Sequence, residues 1–161
     1  MDERRWPLST STQLIDMFLN QTSHYALRAM TGLARAGNLK PVKSGELAVL
    51  TDVPSHYLSK IMRKMVEAGY VRSQKGHGGG FVMNIALEDL RIIDVLTAAG
   101  FDIDEQPCVF GWDKCRNEDP CPLHPVWKRL KDSFNEWAYH TTFEDIRRES
   151  QDIEDKIRNK P

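Results

Sequence analysis

Between residues 42 and 84 the spacing of the apolar side chains changes from a helical to a strand period, and this limits the available folds more than any other feature. Leu47, Ala48 and Leu50 suit a short helix with Ser44 as its N-cap. Thr51–Asp52–Val53 reads as a tight turn, and Pro54 is well placed in the first turn of a second, longer helix. There Tyr57, Leu58, Ile61, Met62 and Met65 form one apolar stripe, which Gly69 ends. Two strand-like runs follow, Tyr70–Ser73 and Phe81–Asn84, around Gly76, Gly78, Gly79 and Gly80. They read as a hairpin with a glycine-rich tip.

Helix, turn, helix and hairpin in that order are the layout of a winged helix-turn-helix. The expected fold is mainly α with a small β-hairpin wing and a long C-terminal dimerisation helix. An earlier helix begins at Ser23 and runs through Tyr25, Ala26, Ala29, Met30, Leu33 and Ala34 to Gly37. Another passes through Leu90, Ile93, Val95 and Leu96 to Gly100. Residues 1–19 read as an N-terminal arm in which Met17 is an alternative start, 20–100 as the DNA-binding domain, 101–124 as a cysteine-bearing loop and 125–161 as the dimerisation helix with a charged tail.

With the apolar stripe turned inward, His56, Ser59, Lys60 and Arg63 lie on the opposite face, with Ser55 at the helix start. Such a face suits a major groove, where these groups bond base edges or phosphates. A glycine-rich tip lets the backbone approach DNA closely while Arg72, Lys75 and His77 supply donors, and Ser44 completes the DNA-binding set. An ordinary solvated face is the competing reading; the adjoining turn and hairpin favour the DNA one. The net charge of −1 says little, but residues 53–84 carry five cations against Glu67 alone. Gly78–Gly79–Gly80 lacks the Lys–Ser/Thr that a phosphate-binding P-loop requires.

The stretch 101–125 holds four prolines, three cysteines and six acidic residues without periodicity, and reads as a functional loop. Cys108, Cys115 and Cys121 are separated by six and five residues, which is not C-x-x-C spacing. The chain lacks an apolar run that would span a bilayer or serve as a secretory signal, so it reads as cytoplasmic. In that reducing setting an odd number of thiols points to metal or redox chemistry, such as an iron–sulfur cluster, before structural disulfides. His124 is the nearest candidate for a fourth ligand, with packing at the helix start as the rival reading. After the loop, Trp127, Leu130, Phe134 and Trp137 form a heptad-like seam that implies a partner helix. Thr141 and Glu144 match a capping box for a last charged helix.

The runs Tyr25–Met30, Val53–Ile61, Ala68–Val71 and Gly76–Phe81, with Cys121–Pro125, resemble the Rrf-two family of regulators, that of IscR, NsrR and RirA, from about Asn20 to Thr142. The resemblance implies a dimeric transcription regulator whose Cys108, Cys115 and Cys121 hold an iron–sulfur cluster, [2Fe–2S] or [4Fe–4S], that senses iron, redox state or nitric oxide. The first cysteine gap is one residue longer than the family's usual pattern. The resemblance also implies a fourth ligand at His124 or, from the partner subunit, at His24. On this reading the chain is not an enzyme; it is a repressor that binds a two-fold-related duplex site. The alternatives are a cofactor-free winged-helix regulator and, against the missing C-x-x-C, a thiol or metal redox enzyme.

Overall fold

A computed structural model describes residues 19–37, 40–102, 118 and 120–158. Residues 1–18 of the N-terminal arm, Cys108, Cys115 and the last three residues therefore lie outside the described residues. Among those described are six helices and one two-stranded antiparallel sheet. Helix α1 (Gln21–Ala36) begins two residues before the expected Ser23, because the Asn20 side chain accepts from Ser23 N at 2.9 Å and caps it. Its Ala26, Ala29, Met30 and Leu33 are buried, and α1 packs against most of the other elements.

Helix α2 (Ser44–Thr51) is not capped by Ser44. Lys43 holds the cap position and its N–H donates to Glu46 Oε2 at 3.2 Å, which leaves Ser44 as the first helical residue. The turn into α3 (Ser55–Glu67) passes through Asp52 in a left-handed conformation with φ 51°, and its carboxylate meets Arg28 of α1 at 3.2 Å. In α3, Leu58, Ile61, Met62 and Met65 are fully buried against α1, α2 and the following helix, while Tyr57 packs edge-on against Tyr25 at 5.2 Å. The expected stripe is thus the packed one.

Strands β1 (Val71–Gln74) and β2 (Gly80–Met83) pair in the register Val71↔Met83 to Gln74↔Gly80. Phe81 also exchanges two backbone hydrogen bonds with Val42, at 2.8 and 2.9 Å, which ties the hairpin to the segment before α2. A Cβ at residue 80 would collide with the Val42 carbonyl, so only glycine admits this approach.

Helix α4 (Ile92–Ala99) starts after Leu90, contrary to the expected course. Leu90 is buried outside the helix and its carbonyl accepts from Phe143 N at 2.9 Å. Helices α5 (His124–His140) and α6 (Phe143–Arg158) complete the chain. The capping box of α6 is Thr142 with Asp145, one residue beyond the expected Thr141 and Glu144. Thr141 N is bonded to Trp137 O to close α5, and Thr141 O accepts from Ile92 N. Thr142 N and Oγ1 donate to Asp145 Oδ2, and Asp145 N donates back to Thr142 Oγ1 at 3.2 Å.

Two stability outcomes follow from this packing. Gly32 faces the Thr51 methyl so closely that a Cβ would overlap it, and Thr51 is locked by its hydroxyl bond to Leu47 O at 2.6 Å. Gly32→Ala should therefore destabilise the fold by about 1–3 kcal/mol in denaturant unfolding, despite alanine's better helix propensity. The hydrogen bonds from Thr142 hold the Asp145 carboxyl below its ordinary range. Its contribution is complete above the unfolded-state pKa and fades as pH falls through the lowered folded value. Asp145→Asn should lower Tm at neutral pH, and that gap should close in acid; a gap independent of pH contradicts the assignment.

Candidate nucleic-acid interface and sensor segment

The buried stripe of α3 fixes which residues face outward. Ser55, His56, Ser59, Lys60 and Arg63 are all exposed, as the sequence leads one to expect. His56, Lys60 and Arg63 follow one another at four and three residues and share a face. Within that face Ser59 Oγ donates to Ser55 O at 3.0 Å, and the His56 ring rests on Tyr57 at 4.5 Å. Arg63 Nε donates to Glu67 Oε1 at 2.8 Å, and this bond raises the guanidinium pKa above its ordinary value. Ser44 is half-buried at the start of α2.

On the wing, Arg72 lies in β1 opposite Val82, while Lys75 and His77 sit in the connecting tip; all three are exposed. Gly76 and Gly78 have φ of 94° and 81°, which permits the tight reversal. The bond between Phe81 and Val42 places the wing beside the start of α2. Lys43, which sequence reasoning passed over, is exposed there. Its signal in the sequence is only its place next to Ser44. Lys64 is not part of the outward set: its Nζ donates to Ala99 O at 2.7 Å and ties α3 to the C-terminus of α4.

Of the three cysteines expected as ligands, Cys121 lies among the described residues and Cys108 and Cys115 do not. The Cys121 thiol is unbridged and half-exposed, three residues ahead of the start of α5. A tight turn brings His124 close in the chain, its N–H donating to Cys121 O at 2.9 Å, whereas His24 stands in the first turn of α1. Among the described residues no three His, Cys, Asp or Glu side chains converge on a metal-sized site. A soft sulfur donor with a histidine three residues further along the chain is the donor chemistry an iron–sulfur site draws on, as far as it is described.

The seam of α5 is modified by its own core. Phe134 turns onto Phe101, with ring centroids 6.1 Å apart, and Ala138 is buried among Leu19, Ile92, Leu96 and Phe101. Val126, Leu130 and Trp137 remain 53%, 50% and 40% exposed, and their spacing puts them on one face with Leu123.

A helix-turn-helix with an outward polar face on its second helix, followed by a docked hairpin, is a winged helix-turn-helix, a layout used by many DNA-binding regulators. Residues 19–149 match the Rrf2 family, described as an iron-dependent transcriptional regulator, and the chain belongs to that family. A protein of Aquifex aeolicus named as an HTH-type transcriptional regulator is 30% identical over 132 residues, covering 81% of this chain and 91% of that one. IscR of Pectobacterium carotovorum is 24% identical over 142 residues, covering 87% and 86%. Among solved structures, CymR, the global cysteine regulator of B. subtilis, superposes with a TM-score of 0.67 at 22% identity over 80% of this chain and 95% of its own. IscR of T. potens gives 0.65 at 21% over 84% and 89%. These proteins are transcription regulators and not enzymes. No helix among the described residues is long and apolar enough to cross a membrane.

Proposed function

We propose that two copies of this chain bind a two-fold-related duplex site and repress transcription, with DNA affinity gated by an iron–sulfur cluster. The outward face of α3, held by its buried stripe, is the observation that carries the DNA reading. His56, Ser59, Lys60 and Arg63 enter the major groove, the first-turn amides at Ser55 favour a phosphate, and Arg72, Lys75 and His77 bring the wing tip to the backbone. Ser44 and Lys43 contact phosphate beside the wing.

Dimerisation runs through α5, whose Val126, Leu130 and Trp137 would otherwise leave an apolar face in water. Cys108, Cys115 and Cys121 are the thiolate ligands, and His124 or the partner subunit's His24 is the fourth. The cluster supplies a redox- and iron-sensitive centre when bound. The cysteine segment follows α4, which Lys64 ties to the reading helix, and precedes α5. Ligation there biases the relative placement of reading head and dimer helix, and acts only as far as the two DNA-affinity states bind the cluster differently. The IscR relatives support the cluster reading; CymR, named as a cysteine regulator, makes a thiol-based signal the alternative outcome.

Protein purified without oxygen should be coloured and contain iron and acid-labile sulfide, and Cys115→Ala should remove all three signals. Colourless protein, or unchanged metal in the variant, overturns the sensor. Lys60→Gln and Lys75→Gln should each weaken duplex binding and reduce the slope of log affinity against log salt by about 1. Unaltered slopes in a titration followed by fluorescence anisotropy contradict the assigned DNA face.

A further inference from the structure

The DNA face of α3 ends on a carboxylate. His56, Lys60, Arg63 and Glu67 succeed one another at intervals of four, three and four residues and therefore lie along a single face. Arg63 and Glu67 are bonded at 2.8 Å, yet their side chains remain 81% and 60% exposed. Helix stability does not account for the pair. An acidic group in the last turn opposes the helix dipole, and a cation four residues ahead of an acid is the weaker of the two pair orientations. An ion pair this exposed is also easily exchanged, since water and salt screen it.

We propose that Glu67 is a specificity-determining residue that competes with phosphate for Arg63, and so limits the sequence-independent affinity of the reading helix. This rests on the assignment of α3 as the DNA-reading helix. Arbitrary DNA offers Arg63 little beyond phosphate, and the Glu67 carboxylate already neutralises the guanidinium. A correct site, held in register by base contacts from the rest of the face, presents phosphate or a base edge closely enough for Arg63 to leave Glu67. The cost of that exchange is small when the register is right and is not recovered when it is wrong.

The test measures binding of wild-type protein, Glu67→Gln, Arg63→Gln and the double variant to a short duplex of arbitrary sequence across a salt series, with Tm taken for each. Glu67→Gln should bind several-fold tighter than wild type, with a salt slope steeper by about 0.9, one released counterion. In the Arg63→Gln background the same substitution should leave the slope unchanged. Equal or weaker binding by Glu67→Gln with an unchanged slope, or a steepening that persists without Arg63, overturns the proposal while the DNA face stands. Failure of the wild-type chain to bind any duplex would overturn the reading of α3 itself, and this inference with it.

Discussion

The burial of Leu58, Ile61, Met62 and Met65 is the constraint on which the remaining structure depends. Each is fully withdrawn from water, and burial of such a side chain is worth about 1.5–3 kcal/mol. The polar bonds on the opposite face of α3 are exposed and weak by comparison. Core packing therefore sets the rotation of the helix. A roll by one residue, about 100°, would carry Lys60 or His56 towards the core and Met62 into solvent. The reading face is in this sense a by-product of hydrophobic packing: the residues that cannot be buried become the ones presented to a ligand.

The same core positions the wing and the sensor segment. Tyr70 and Val71 follow α3 after a short turn, and the hairpin returns through Gly80 and Phe81 to bond Val42, so the tip projects beside α2 at a fixed distance from α3. On the other side, Lys64 spans from α3 to the last carbonyl of α4, and Phe101 just beyond it packs on Phe134 of α5. The cysteine segment thus leaves from a point bonded to the reading helix and returns into the helix with the exposed apolar face. On the proposed reading, a change in that segment would act on two helices at once, which is what a sensor between a DNA head and a dimer helix requires.

The architecture was largely legible because it is written in periodicity. The α3 stripe and the glycine-tipped hairpin are local signals that tertiary packing reinforced. Errors gathered where a residue's local preference was overridden by a partner distant in sequence. Thr141 has the chemistry of a cap, but its backbone is committed to Trp137 and Ile92, and Thr142 takes the part. Leu90 fits a helical period yet pairs with Phe143 outside the helix, and Phe134 fits a partner seam yet turns to Phe101. Lys64 and Glu67 counted only as charges in the sequence; their bonds to Ala99 and Arg63 depend on helix orientation that composition does not contain. Cys121 and His124 are close by chain connectivity, while Cys108 and Cys115 lie outside the described residues, in a stretch on which periodicity is silent.

On the proposed reading, the outward face of α3 and the wing tip are the surface that meets DNA. Amide hydrogen exchange with and without a saturating duplex tests it most directly, since the first-turn amides of a helix lack acceptors within the helix and exchange readily until something accepts from them. Slowed exchange is expected at residues 55–56 and 75–79, with the α5 face around Leu130 unaffected. Protection centred on α5 or α4, with α3 and the wing tip exchanging as in the free protein, would contradict it.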